Sequence, residues 1–237
     1  MVKPAFAFKQ FEVMHHQSTM KVGTDAVLLG SWVAATDPKK ILDIGTGCGV
    51  IALMMAQKYK NAQVLGIDID QKSVEEAQLN FATSVWSKNM EARNVRLQEL
   101  AEKQNHKYDL IVSNPPYFRY ENHTDNAPRL HARQQTSLGF EELMACSAAL
   151  LEKDGILGII MPFGAKETVV EMAKNNFLYP KTVCDIYPNA HKNANLCMVA
   201  FGFFETNFEP ARLYIRGSDG GYTAEYKQLT RAFYRIF

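Results

Sequence analysis

The segment Asn114-Pro115-Pro116-Tyr117 combines residue types that can activate a planar amino group. Such a nitrogen, as in adenine, is a poor nucleophile because its lone pair is delocalised into the ring. The amide oxygen of Asn114 and the carbonyl of Pro115 can accept hydrogen bonds from its two N–H groups. These bonds direct the lone pair towards a methyl donor. Two prolines stiffen the backbone, and the ring of Tyr117 can stack on a base. We predict that these four residues are catalytic, that Asn114 also contacts the donor, and that Tyr117 also contacts the substrate.

A glycine-rich loop, Asp43-Ile44-Gly45-Thr46-Gly47-Cys48-Gly49, joins a predicted buried strand to a predicted helix. Open α/β sheets bind ligands at such carboxyl ends of strands. The order G-x-G-x-G departs from the dinucleotide fingerprint G-x-G-x-x-G. A carboxylate at Asp43 disfavours a pyrophosphate but suits a cation. We predict that Asp43 accepts, directly or through water, from the α-ammonium group of S-adenosylmethionine, while the glycines let the backbone approach its methionine moiety.

Asp68 ends the next predicted strand, nineteen residues after Gly49. A carboxylate at that place can hold a ribose diol in nicotinamide and S-adenosylmethionine sites alike, so it does not discriminate between the two cofactors. Asp70 is predicted to cap the following helix or to be solvated. Glu99, just beyond the third predicted strand, can reach an adenine amino group, although an ordinary solvated acid in a loop explains it nearly as well. Besides Asp43 and Asn114, the predicted donor-binding residues near these strands are Gly45, Thr46, Gly47, Gly49, Asp68, Ile69 and Glu99.

The elements that position these residues follow a strand-then-helix rhythm, which predicts an α/β fold with a parallel sheet covered by helices on both faces. Predicted strands span residues 41–45, 64–68, 95–97, 109–113, 156–161, 183–187 and 196–204. A last helix is predicted over residues 224–236, with Tyr226, Leu229 and Phe233 interpreted as core packing. We predict a single domain, in which 1–38 is an amino-terminal cap or lid segment, 39–205 the catalytic core and 206–237 an extension packed on that core.

Bulk composition narrows the function classes. Of 237 residues, 26 are basic and 25 acidic, so any RNA-binding surface must be a local patch. The four cysteines form no CxxC pair, which predicts free thiols and no metal. The chain has no run of 18 apolar residues and no secretory signal, so we expect a soluble cytoplasmic protein without a membrane partner.

A long polar stretch, residues 118–137, follows the catalytic tetrapeptide. Its aromatic and basic residues are suited to stacking on unpaired bases and to neutralising phosphate, although an ordinary solvated loop explains them equally well. Within it, the predicted substrate-binding residues are Arg119, Arg129 and Arg133. His15 and His16 have no chemical partner in the sequence, and we interpret them as ordinary surface or loop residues.

Residues 43–49 resemble motif I, and residues 114–117 resemble motif IV, of amino-group methyltransferases. The chain ends narrow this resemblance to the bacterial tRNA1(Val) (adenine(37)-N6)-methyltransferase family. Those end segments are Phe8-Lys9-Gln10-Phe11, residues 20–30, Ile215-Arg216-Gly217, Tyr222, Tyr226, Leu229 and Phe233-Tyr234. The resemblance implies a Rossmann-like class I methyltransferase sheet of seven strands with the last one antiparallel, S-adenosylmethionine as donor and tRNA as substrate. It also implies that residues 21–30 form a lid, with Thr24 and Asp25 near the methionine end of the donor.

Three alternatives stay open at this point. The Asn-Pro-Pro-Tyr segment also occurs in enzymes that methylate a glutamine amide of release factors, because an amide nitrogen poses the same lone-pair problem. The absence of a separate amino-terminal helical domain argues against that class. A nicotinamide-dependent oxidoreductase and a non-catalytic RNA-binding module are the other two hypotheses.

Overall fold

The computed structural model describes residues 5–18, 21–103, 106–116 and 138–237. Its strands are β1 (Phe6–Ala7), β2 (Glu12–Val13), β3 (Lys40–Ile44), β4 (Gln63–Asp68), β5 (Met90–Asn94), β6 (Tyr108–Ser113), β7 (Leu151–Pro162), β8 (Tyr179–Asn189), β9 (Leu196–Gly202) and β10 (Ala211–Arg216). Its α-helices are α1 (Thr24–Trp32), α2 (Val50–Lys58), α3 (Gln71–Ala82), α4 (Leu97–Lys103), α5 (Phe140–Leu150), α6 (Lys166–Lys174) and α7 (Ala224–Thr230). Short 3-10 turns occupy Ser87–Asn89 and Phe163–Ala165.

The main sheet has eight strands in the order β10-β8-β9-β7-β6-β3-β4-β5. Only β9 runs antiparallel to its neighbours β7 and β8, and the other pairs are parallel. The α/β class and the antiparallel late strand are therefore confirmed, whereas the strand count of seven is wrong. The extra strand, β10, pairs in parallel with β8 at the sheet edge, so the last strand of the chain is a parallel one. In β10 apolar and polar residues alternate, so this strand has no continuous apolar run of the kind that marks a central strand.

The third strand of the main sheet differs from its predicted place. It is β5, residues 90–94, in which only Ala92 is buried. Val95 already lies beyond the strand, and Leu97 begins α4. An edge strand covered on one face carries few apolar residues, so the apolar run in the sequence marks the segment after it.

The last helix is shorter than predicted. It ends at Thr230 instead of residue 236, and the carbonyl of Phe233 accepts the N–H of Lys9. The Lys9 ammonium donates to the Arg231 and Phe237 carbonyls at 2.6 and 2.7 Å. The chain therefore leaves the helix to pair with the amino-terminal segment. Tyr226 and Phe233 are both 2% exposed, which confirms their interpretation as core residues.

Apolar side chains pack on both faces of the sheet. One cluster includes residues of α1, α2 and α3, and the other includes residues of α4, α5 and α6. Helices on both faces were predicted and are confirmed. Within the described ranges, no helix is both long enough and apolar enough to span a membrane, and no cluster of three or more His, Cys, Asp or Glu side chains could hold a metal ion. All four cysteines are free thiols.

Candidate active site

Three neighbouring strands deliver the predicted chemical residues to one edge of the sheet. Ile44 of β3 pairs with Ile67 of β4 and with Ser113 of β6. Gly45, Asp68 and Asn114 are the residues that directly follow these three. The Ser113 hydroxyl donates to the Ile44 carbonyl at 2.9 Å and ties the ends of β6 and β3 together. Adjacent strands are about 4.8 Å apart. The glycine loop therefore leaves its strand between the predicted ribose acid and the predicted catalytic asparagine.

The glycine loop is held by the end of β4. The backbone N–H groups of Gly45 and Thr46 both donate to the Ile67 carbonyl at 2.9 Å. Gly45 and Gly47 have φ values of +69° and +54°, in the left-handed region that side chains other than glycine rarely adopt. A Cβ built on either of them meets no atom within 4 Å. The loop thus presents bare backbone to open space, which is the form that a close-fitting ligand requires.

Asp68 is already engaged with the loop. Its Oδ2 accepts from the Gly47 N–H and its Oδ1 from the Asp70 N–H, each at 2.9 Å. Burial raises the pKa of the Asp68 carboxyl. Each carboxylate oxygen has a second lone pair with which to accept from a hydroxyl. Ile69 follows it with 52% of its surface exposed, so an acceptor and an apolar face stand side by side.

Asp43 is 1% exposed and its carboxylate supports the glycine loop through hydrogen bonds. Its Oδ2 accepts from the Thr46 hydroxyl at 2.7 Å and from the Ala52 N–H at 3.1 Å. Its Oδ1 has no hydrogen-bond partner among the described residues. Burial raises the pKa of Asp43 to about 7, although both hydrogen bonds oppose the rise. A buried carboxylate with one oxygen unpartnered suits a cationic or water-bridged ligand.

The predicted catalytic tetrapeptide begins at the end of β6. Asn114 is half-buried, Pro115 buried and Pro116 exposed. Tyr117 lies outside the described residues, as do Arg119, Arg129 and Arg133 and the whole predicted RNA-binding stretch. Pro115 and Pro116 thus follow β6 at the same edge of the sheet as the loop that begins at Gly45.

The predicted lid divides into two parts. Residues 26–30 are buried within α1, where a Cβ on Gly30 would lie 2.6 Å from the Met54 Sδ. That close packing makes them part of the core between α1 and α2. Thr24 is exposed and Asp25 half-buried at the start of the helix, and burial raises the pKa of Asp25. Only the beginning of the predicted lid is exposed, and it includes both residues predicted to contact the donor.

Glu99 lies in the first turn of α4 rather than in a loop. Its carboxylate forms an i,i+4 ion pair with the Lys103 ammonium at 3.5 Å, and its side chain is 47% exposed. A surface pair of this kind contributes little to stability. A contact between Glu99 and an adenine stays a prediction.

Glu76, on α3, supports the segment before the predicted lid, and the sequence reasoning missed it. Its carboxylate accepts from three consecutive backbone N–H groups, those of His16, Gln17 and Ser18, at 2.6, 3.0 and 2.9 Å. Burial alone would raise the pKa of Glu76, but these bonds outweigh burial and hold the pKa below its usual value. The segment that precedes the predicted lid is thus fixed to α3, the helix that follows the predicted ribose acid Asp68.

Asn80, one helical turn further along α3, joins the same segment to the glycine loop. Its Nδ2 donates to the carbonyls of Met14 and Cys48, both at 2.8 Å, and its Oδ1 accepts from the Met14 N–H at 2.9 Å. The signal for both residues was present in the sequence, because they occupy the buried stripe of α3 beside Ala77 and Phe81. Polar residues in such a stripe must find buried partners.

The structure also tests the interpretations of His15 and Asp70. His15 does have a partner, contrary to the interpretation, since its Nδ1 accepts from the Val22 N–H at 3.1 Å. Burial, with His16 nearby, lowers the pKa of His15. The predicted helix cap is confirmed, because the Asp70 carboxylate accepts from the Ser73 N–H at 3.0 Å.

Known proteins share both the sequence and the fold. The family model described as "Methyltransferase small domain" matches residues 10–177. A tRNA1(Val) (adenine(37)-N6)-methyltransferase of Flavobacterium psychrophilum is 37% identical over 97% of this chain and 98% of its own length. One of Bacteroides fragilis is 35% identical over 99% of both chains. The solved structure of a predicted O-methyltransferase from Agrobacterium tumefaciens has a TM-score of 0.69 and 20% identity, covering 88% of this chain and 96% of that one. That likeness shows the class I methyltransferase fold.

The match extends well beyond the loop and the tetrapeptide. It includes both chain ends, which pair with each other in the structure, where the Lys9 N–H donates to the Phe233 carbonyl. This chain therefore belongs to the methyltransferase small domain family and, within it, to the family of the tRNA1(Val) (adenine(37)-N6)-methyltransferases.

Proposed function

We propose that this protein transfers a methyl group from S-adenosylmethionine to the N6 amino group of adenine 37 in the anticodon loop of tRNA1(Val). The relatives carry this activity in their names and match nearly the full chain. One observation carries the proposal most directly: Asn114 and Gly45 follow paired residues on adjacent strands, which sets an amino-group acceptor beside a donor-binding loop. Because mature tRNA is cytoplasmic, we place the protein in the cytoplasm.

The site fits S-adenosylmethionine in three respects. The unpartnered Oδ1 of Asp43 can accept from the α-ammonium group, directly or through water. The bare backbone at Gly45 and Gly47 leaves room for the methionine moiety. Asp68 has lone pairs left for the ribose diol, and the exposed Ile69 offers a face to the adenine ring. When bound, S-adenosylmethionine supplies a methyl group on a positively charged sulfur, which makes it a strong electrophile.

Asn114 and Pro115 then act on the substrate amino group. The Asn114 amide oxygen and the Pro115 carbonyl accept hydrogen bonds from the two N–H groups of that amino group, which localises the lone pair on nitrogen. The N–C bond forms as the S–C bond breaks, and the nitrogen afterwards gives one proton to water. No general base is required, because the nitrogen becomes acidic only as it gains the methyl group. Catalysis depends on positioning and on fixed dipoles. The base stacks on the ring of Tyr117.

The test is a labelled methyl transfer. Purified protein, labelled donor and unmodified tRNA1(Val) are incubated, and the tRNA is digested to nucleosides. We expect the label in N6-methyladenosine, and none when adenine 37 is replaced by guanine. Label in a release factor with none in tRNA would favour glutamine methylation instead. A protein that binds the donor but labels neither substrate would favour the non-catalytic hypothesis, and membership of a methyltransferase family removes the reason for the nicotinamide hypothesis.

A further inference from the structure

The sheet edge that carries the candidate active site continues across the strands on the other side of β6. Strands β7, β8 and β10 all run in the same direction as β6, so their carboxyl ends lie at the same edge as Asn114. Four strand spacings separate β10 from β6, which is about 19 Å. The added eighth strand thus widens the edge beside the site by one place.

Two tyrosines stack on each other near the end of this edge. Tyr187 on β8 and Tyr214 on β10 are directly opposite in register. Their ring centroids are 4.8 Å apart, with 28° between the planes. Both side chains are half-buried, so part of the pair is accessible to solvent. Exposed aromatic faces bind unpaired bases of single-stranded RNA by stacking.

Basic residues follow both tyrosines within five positions along the chain. Arg216 ends β10, lies over the Tyr222 ring at 4.5 Å and donates to the Gly220 carbonyl at 2.7 Å, while the residue as a whole stays exposed. His191 and Lys192 are exposed in the turn after β8. Asn189 fixes that turn, its Oδ1 accepting from the His191 N–H at 3.0 Å and its carbonyl from the Lys192 N–H. A held guanidinium and an ordered basic turn are suited to phosphate.

Two acids that neighbour these residues in the chain have partners of their own. Asp185, two residues before Tyr187, pairs with the Lys166 ammonium at 3.0 Å. Asp219 accepts from the Gly221 N–H at 2.9 Å. The surface also connects to the candidate active site, because the Phe163 N–H after β7 donates to the Asn195 carbonyl before β9 at 2.9 Å.

We propose that tRNA docks on this surface, which we name the tyrosine edge and define as Tyr187, His191, Lys192, Tyr214 and Arg216. Lys192 and Arg216 contact phosphates, the tyrosine pair stacks on an unpaired base, and the RNA continues along the edge to place its adenine at Asn114. The net charge of +1 makes such a local patch necessary, because the whole-protein field does not attract a polyanion. This inference rests on the proposed function.

The opposite edge of the sheet provides a matched control. A cleft of about 440 Å³ lies there, at the amino ends of β3 to β6, and its basic lining residues are Lys40, Lys88, Arg93 and His106. Arg93 is occupied by a bidentate ion pair with Glu91 at 2.6 and 2.7 Å. Lys88→Glu and Lys192→Glu change the net charge equally, but at opposite edges.

The experiment measures tRNA1(Val) affinity by filter binding at several salt concentrations, with donor affinity measured by calorimetry. For Lys192→Glu we expect affinity to fall about tenfold and the salt slope to shrink by about 0.7 to 0.9. We expect a raised KM for tRNA, little change in kcat and unchanged donor affinity. Lys88→Glu should stay within about twofold of the wild type.

A second variant addresses the tyrosine pair without depending on charge. Tyr214→Ala should weaken tRNA binding by about fivefold or more, while Tyr214→Phe, which keeps the ring, should retain it. Equal tRNA affinities for Lys192→Glu and wild type, or a larger loss with Lys88→Glu, would overturn the tyrosine edge. Failure of the proposed function gives a different result, since the wild-type protein would then form no N6-methyladenosine.

Discussion

Gly47 donates its backbone N–H to the Asp68 Oδ2 at 2.9 Å, so the glycine loop and the predicted ribose acid are joined before any donor binds. The same carboxylate accepts from the Asp70 N–H through its other oxygen. A loop rich in left-handed glycines loses much conformational entropy when it is ordered. The bond to Asp68 helps to hold the loop in its observed conformation.

Asp68→Asn should weaken donor binding. Both of its oxygens accept from N–H groups, and an amide would set an NH2 group against one of them. Loss of a charged hydrogen bond costs about 1.5–3 kcal/mol, so we expect Kd for S-adenosylmethionine to rise roughly tenfold to a hundredfold by calorimetry. Asp70→Asn is the control, because asparagine caps a helix as well as aspartate does. An equal loss in that variant would contradict the role of Asp68.

Asn114→Ala should lower kcat far more than it weakens donor binding, although Asn114 is also predicted to contact the donor. The proposed contact with the amino group gains its value in the transition state, and lost contacts of that kind cost roughly a hundredfold to a thousandfold. Single-turnover methylation of tRNA with saturating donor checks this expectation. An unchanged kcat would remove the catalytic role from Asn114.

The Asp43 carboxyl should make stability fall as pH rises. Burial raises its pKa to about 7 in the folded protein, from an ordinary value of 3.8. Between those values the folded state holds a proton that the unfolded state has released, so the unfolding free energy decreases with rising pH. Above about pH 7 this contribution is constant. Urea denaturation of wild type and Asp43→Asn from pH 5 to 8 checks it, and a pH-independent difference between the two would contradict it.

Donor binding should respond to the same carboxyl in the opposite direction. A cationic donor favours ionised Asp43, so affinity should rise with pH up to about 7, and binding below that pH should release a proton. Calorimetry in buffers of different ionisation enthalpy measures that proton. Asp43→Asn should bind more weakly and release none at this position. Proton release equal to that of the wild type would show that Asp43 does not face the donor.

Glu76→Gln should loosen the segment of residues 14–18 and weaken donor binding with it. An amide can replace only part of a carboxylate that accepts three N–H bonds, and such losses cost about 1–3 kcal/mol. We expect a lower urea midpoint and faster proteolysis near residue 17. Glu75→Gln is the control, since that neighbour is exposed and bonds only to Gln71 among its described contacts. Equal behaviour of the two variants would assign no such role to Glu76.

The sequence by itself determined the α/β class, the glycine loop, Asp68 and the position of Asn114. These follow from local patterns, because continuous apolar runs mark central strands and the carboxyl ends of parallel strands must share an edge. The Asp70 cap was equally readable, since a cap and its helix are neighbours in the chain. The sequence analysis did not find the edge strands β5 and β10, because their alternating, half-buried residues resemble those of a loop.

Only the tertiary structure decided which distant residues support the site. Glu76 lies about sixty positions from the backbone groups that it binds, and Lys9 bonds to carbonyls more than two hundred residues away. No local period encodes such pairs, because these polar groups bond to whatever partners folding brings within hydrogen-bond distance. The same reason explains the tyrosine edge, because the rings of Tyr187 and Tyr214 meet only where β10 joins the sheet beside β8.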